Sequence, residues 1–100
     1  MKQTIRITED SFFKGSYSGS GDLELHGSFE GSLNVKNLYV KKCGMFIGYV
    51  SAENIIVEGE INADIQTENL YLKSTGIVDG DVMYRNIVID SGGMLKSQMV

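Results

Sequence analysis

The residues best able to do chemistry are few and scattered. His26 is the single histidine of the chain, and a histidine is the natural first suspect for general acid–base work near neutral pH. It stands in a short turn before Gly27, with no serine, cysteine or carboxylate placed to form a nucleophile–base pair, and reads as a surface turn residue. Asp64 and Asp81 fall in one outward column, flanked by Asp79 and Glu60. Carboxylates stacked one strand spacing apart, ~4.8 Å, offer oxygens to calcium. Such a site also needs several further oxygens from a preformed loop, and no second acidic cluster supplies them, so a solvated acidic patch is the better reading. Cys43 stands beside Lys41 and Lys42, a field that favours a thiolate, yet its counterparts in later turns are Thr75 and Gly92. The stretch "GSYSGSG" at 15–21 is glycine-rich but lacks the Lys-Ser/Thr ending of a phosphate loop and matches neither nucleotide fingerprint. The expectation is no catalytic residue, no cofactor, no metal and no small-molecule substrate.

Composition narrows the classes further. A net charge of −4 argues against a nucleic-acid partner, which requires a dense basic footprint. No apolar run reaches the roughly 18 residues of a membrane span, and the start does not read as a signal peptide. One unpaired cysteine suits a reducing, cytoplasmic location. Residues 1–100 are one domain's worth of chain. Proline is absent and glycine occurs 12 times, a balance that predicts many turns needing positive φ.

The elements that would carry any site follow from a repeat. Asn followed by apolar, any, apolar occurs at Asn37, Asn54, Asn69 and Asn86, with Asp22 in the same role, at spacings of 15, 17, 15 and 17. A second phrase runs on the same beat: "FKGSY" from Phe13, "FEGSL" from Phe29, "FIGYV" from Phe46, "INADI" from Ile61, "VDGDV" from Val78 and "LKSQM" from Leu95. Apolar residues alternate with polar or small ones, the period of a half-buried strand, and no window carries helical spacing. Short strands of this kind cannot bury a face alone but can when stacked on copies of themselves. The fold class is therefore all-β, a parallel β-solenoid of about six rungs, with Asn and Gly at its corners.

Stacking defines inward columns. They run Phe13, Phe29, Phe46, Ile61, Val78, Leu95; Tyr17, Leu33, Val50, Ile65, Val82, Met99; Ile5, Leu23, Leu38, Ile55, Leu70, Ile87; and Ile7, Leu25, Val40, Val57, Leu72, Ile89. Between the last two columns lies an outward one, Arg6, Glu24, Tyr39, Ile56, Tyr71, Val88, whose last four members form an apolar stripe. The remaining outward columns are mostly polar.

Glycine-led "G-x-apolar … Asn-apolar-x-apolar" units over nearly the whole chain, with "GDV" at 80–82, resemble the bactofilins across residues 5–99. Ala63 and Ser97 stand where the pattern has a glycine, and "MKQTIRI" enters the first rung almost at once. The resemblance implies a right-handed, three-sided parallel β-helix that polymerises end to end, without nucleotide, into non-polar filaments. It implies a role in cell shape or in placing cell-wall enzymes, in the cytoplasm and often at the inner face of the cytoplasmic membrane.

Those implications set the expected surfaces. The partner is the chain itself, as a homopolymer, with cell-wall enzymes or the inner membrane surface as further candidates. Polymerisation is expected at the two ends, through Ile5, Ile7 and Phe13 at one and Leu95, Met99 and Val100 at the other. Tyr39, Ile56, Tyr71 and Val88 are the expected lateral or partner stripe. Two rival readings stand beside the filament: a β-helix enzyme acting on polysaccharide or in acyl transfer, and a docking scaffold that does not polymerise. A catalytic histidine of the left-handed acyltransferase kind would come with a strict six-residue beat. Counting by six from Phe29 reaches Val35 and then Lys41, which breaks it.

Overall fold

Period-two alternation puts successive side chains on opposite sides of a strand, so each phrase of the repeat can face a core on one side only. The computed structural model describes residues 4–19 and 21–96. Among them the chain forms strands and no helix: β1 (Thr4–Ile7), β2 (Phe12–Ser18), β3 (Asp22–Leu25), β4 (Ser28–Val40), β5 (Met45–Val57), β6 (Glu60–Leu72), β7 (Ile77–Asp79), β8 (Val82–Met83), β9 (Asn86–Ile89) and β10 (Met94–Lys96). Every ladder is parallel and each joins one turn of the chain to the next, giving stacked coils of a β-solenoid of about five turns. A further partial turn, carried by β10 against β7, accounts for the difference from six rungs.

Three sides can be followed through the register. The first stacks Phe13, Phe29, Phe46, Ile61, Val78 and Leu95. The second stacks Tyr17, Leu33, Val50, Ile65 and Val82. The third carries two inward columns, Ile5 to Ile87 and Ile7 to Ile89, in the order read from the sequence. In the middle turns Phe46, Val50, Ile55, Val57, Ile61 and Leu70 are all fully buried. Phe13, Phe29 and Phe46 stack ring on ring, with centroids 4.7 and 5.1 Å apart. The core thins at both ends, where a column has a neighbour on one side only: Phe13 is 39% exposed and Ile89 46%.

Two corners are built by residue chemistry. Between the first and second sides, Gly31 and Gly48 take φ of 133° and 127°, and a Cβ on Gly48 would meet the carbonyl oxygen of Gly31 in the turn below. Leading into the third side is an amide ladder. Asn37 donates to Asp22 at 2.6 Å, Asn54 to Asn37 at 2.8 Å, Asn69 to Asn54 at 2.8 Å and Asn86 to Asn69 at 3.0 Å. Just before it lies a fifth inward column that the repeat phrases did not assign: Val35, Ala52 and Thr67 are buried, and the Thr67 hydroxyl is satisfied by backbone carbonyls of Glu53 and Asn69.

Candidate functional site

The two ends of the solenoid differ from its middle in backbone pairing. β1 pairs with β3 alone and β2 with β4 alone among the described residues, so the outer edge of each shows unpaired backbone groups. At the other end, again among the described residues, β8 and β9 pair only with β6, and β10 only with β7. Of the expected end residues, Ile7 is buried against the second turn and Phe13 lies half open over Phe29. Ile5 and Leu95 hold their places in the columns by backbone register, opposite Leu23 and Val78, and their side chains are outside the described residues. Met99 and Val100 lie outside the described residues altogether.

The outward stripe forms in the expected column, with Tyr39 opposite Ile56, Ile56 opposite Tyr71 and Tyr71 opposite Val88. It is less open than the sequence suggested at its N-terminal half. Tyr39 and Ile56 are half-buried, while Tyr71 and Val88 are 37% and 51% exposed. Large neighbours shade one another in a tight column, and the Lys41 ammonium lies 5.8 Å from the Tyr39 ring centroid, a cation–π contact. The stripe ends in charge: Arg6 Nε donates to Glu24 Oε2 at 2.9 Å. That hydrogen bond holds the Glu24 carboxyl below the ordinary glutamate range, with partial desolvation acting in the opposite direction.

A second apolar surface lies on a face that the sequence reading treated as wet. Met45, Ile47 and Tyr49 project outward from β5 and are all exposed, between polar rows Ser28, Glu30, Ser32 and Glu60, Asn62, Asp64. Ile47 and Tyr49 each belong to a column that is otherwise polar, so the row does not show when the repeat is followed column by column.

Where the second side meets the third, residues 34–36, 51–53, 66–68 and 83–85 line a groove of about 770 Å³ that runs along the axis. Its signal was hidden in the sequence for the same reason as the fifth inward column. The alternation slips by one residue at Lys36 and Asn37, so both flanking phrases stop short of it.

The remaining candidates for chemistry stay apart. His26 is half-buried in its turn, its backbone N–H donating to the carbonyl of Ile7 at 2.8 Å. Cys43 is exposed in the turn at 41–44. Asp64, Asp79 and Asp81 are exposed, and no group of three His, Cys, Asp or Glu among the described residues is disposed to hold a metal ion. No described helix is long and apolar enough to cross a membrane.

No curated protein and no solved structure matches the chain. A family model, Bactofilin, described as polymer-forming cytoskeletal, matches residues 5–100. The match takes in every turn of the solenoid, the amide ladder and both open ends, and the chain belongs to the bactofilins, a family of polymer-forming cytoskeletal proteins.

Proposed function

We propose that this chain is the subunit of a filament that grows end to end without nucleotide, like end meeting like end, so that the filament is non-polar. The observation that supports it is the state of the ends. Edge strands there pair on one side only among the described residues, and column residues that are fully buried in mid-stack, as at Phe46, become exposed, as at Phe13. Joining two ends satisfies the backbone groups and covers apolar area at about 25 cal/mol per Å². Both gains come from the chain itself and draw on no bound group.

In this reading the filament is a cytoplasmic scaffold for cell shape or for placing cell-wall enzymes, at or near the inner membrane surface. The stripe through Tyr71 and Val88 is the face assigned to those contacts. Negative-stain microscopy and sedimentation velocity of purified, nucleotide-free protein test the assembly. Elongated species of open-ended size support it; a single compact species of fixed size, such as a trimer, overturns it in favour of the enzyme or scaffold alternatives.

A further inference from the structure

The axial groove carries one charged residue per turn: Lys36, Glu53, Glu68 and Arg85, each exposed. Register fixes their order, since Val35 stands opposite Ala52, Ala52 opposite Thr67, and the Arg85 N–H donates to the Glu68 carbonyl. None of the four makes an ion pair among the described residues, where the pairs are Arg6–Glu24 and Lys73–Asp90. Glu53 and Glu68 are neighbours on adjacent strands, an arrangement in which like charges repel. The groove therefore presents plus, minus, minus, plus at one strand spacing per step, ~4.8 Å, with the two carboxylates side by side at its centre and no salt bridge to either among the described residues.

The corner between the third side and the first is a ridge whose charges answer those of the groove at three of its four positions. It consists of the turns that lead from the third side back to the first. The turns at 8–11 and 41–44 are long, closed by Ser11 N–H to Thr8 at 3.0 Å and Gly44 N–H to Lys41 at 2.8 Å. They carry Glu9 and Asp10 on one tooth and Lys42 with Cys43 on the other, all exposed. Between and after them come the short turns at His26 and Glu58. Along the axis the first four turns of the ridge read minus, His26, plus, minus, one position per turn; the turns at 73–76 and 90–93 continue it with Lys73 and Asp90, which pair with each other at 4.0 Å.

From this match we infer that the groove of one subunit receives the ridge of a second copy lying alongside it. The inference rests on the filament reading and adds how filaments associate sideways. Lys42 settles on the Glu53–Glu68 pair, while Glu58 and the Glu9–Asp10 tooth meet Lys36 and Arg85. The groove order is the same read from either end, so the ridge fits with the two axes parallel or antiparallel. A second copy is the occupant favoured because both columns are spaced by the same strand repeat, which keeps successive charges in step. Such a contact is screened by salt, as exposed charges are.

Ser51 lines the groove and Cys43 tips the basic tooth, so Ser51→Cys tests the contact directly. Oxidation is expected to join Cys43 of one chain to the new thiol of another, read by mass spectrometry of the linked peptides, with thick bundles visible by negative stain. Glu53→Lys with Glu68→Lys should abolish both the cross-link and the bundles while single filaments keep their length; adding Lys42→Glu should restore both. If the cross-link or the bundles survive the groove reversal, or if the groove thiol stays free while bundles form, the inference is overturned and the groove is left to another kind of partner. If the wild type forms no filament, the filament reading fails separately. The cross-link between paired copies in solution and its loss and rescue still decide the groove contact.

Discussion

Asn69 donates from Nδ2 to Oδ1 of Asn54 across 2.8 Å, and the same geometry recurs at every turn from Asp22 to Asn86. Each amide thus gives its proton toward the N-terminal end and receives one from the C-terminal side. A carboxylate can only accept, which is why an aspartate suits the bottom of the ladder at Asp22 and would not suit its middle. Asn54→Asp sets acceptor against acceptor at Asn37 and should cost about 1–3 kcal/mol in urea denaturation. Asp22→Asn keeps the acceptor and should cost clearly less. Equal losses at the two positions would show that the ladder has no functional direction.

The glycine corner separates backbone strain from close approach. Gly15 and Gly48 both have positive φ, 142° and 127°, but a Cβ at Gly15 meets only the Phe13 ring at 3.8 Å, whereas at Gly48 it falls on the Gly31 carbonyl. Ala63 occupies the same column without a positive φ, since among the described residues only glycines have one. Gly48→Ala should therefore destabilise by more than about 1 kcal/mol, and by more than Gly15→Ala. Thermal melts of the two variants compare them; the reverse order would mean that the turns below can give way.

The Arg6–Glu24 pair gives the N-terminal turn a pH-dependent contribution to stability. Because Arg6 holds the Glu24 carboxyl below its ordinary range, the folded state binds that proton less readily than the unfolded chain. The pair's contribution is present above the unfolded carboxyl pKa and is lost as pH falls through the lower, folded one. The stability gap between wild type and Arg6→Ala should be open at neutral pH and close on acidification, and it should shrink with added salt. A gap that stays constant across the titration would contradict the assignment.

The four alternating columns were legible in the sequence because Leu38, Ile55, Leu70 and their like sit in phrases of unbroken period two, and the register they predict is the one observed. Val35 and Thr67 were not, because the corner before the ladder shifts the alternation by one residue and leaves them between phrases. The ladder residues were visible as a spacing but not as hydrogen bonds, since asparagine at a corner is explained equally well by its turn preference. The groove was hidden by that shift and for a second reason as well. Its four charges come from four turns, and only the stacked structure lines them up as one feature. The exposed row on β5 shows the converse, where reading down columns concealed a pattern that runs along a strand.

The stripe is tested at its two tyrosines, Tyr39 in the half-buried part and Tyr71 in the open part. Tyr39→Lys with Tyr71→Lys should leave circular dichroism unchanged, because both side chains point away from the core. Binding to vesicles or cell-wall enzymes and complementation of cell shape should be lost. If all three readouts match the wild type, the stripe is strand chemistry without a partner.

The ends offer a test that reports the polarity of the filament as well as its existence. Phe13 and Leu95 share one column of the backbone register, near opposite ends of the stack. Phe13→Glu and Leu95→Glu each place a carboxylate where a joint must be desolvated, at a cost of several kcal/mol when unpaired. Asn62→Glu adds the same charge to an exposed side position and should leave polymers long. If like ends meet, each single end variant retains one working joint and should stop at dimers, and the double variant should be monomeric. If unlike ends meet, either substitution alone blocks the only kind of joint and yields monomers at once. Sedimentation velocity distinguishes these outcomes, with circular dichroism confirming that the stack is intact. Long polymers from the folded double variant would remove the ends from the mechanism entirely.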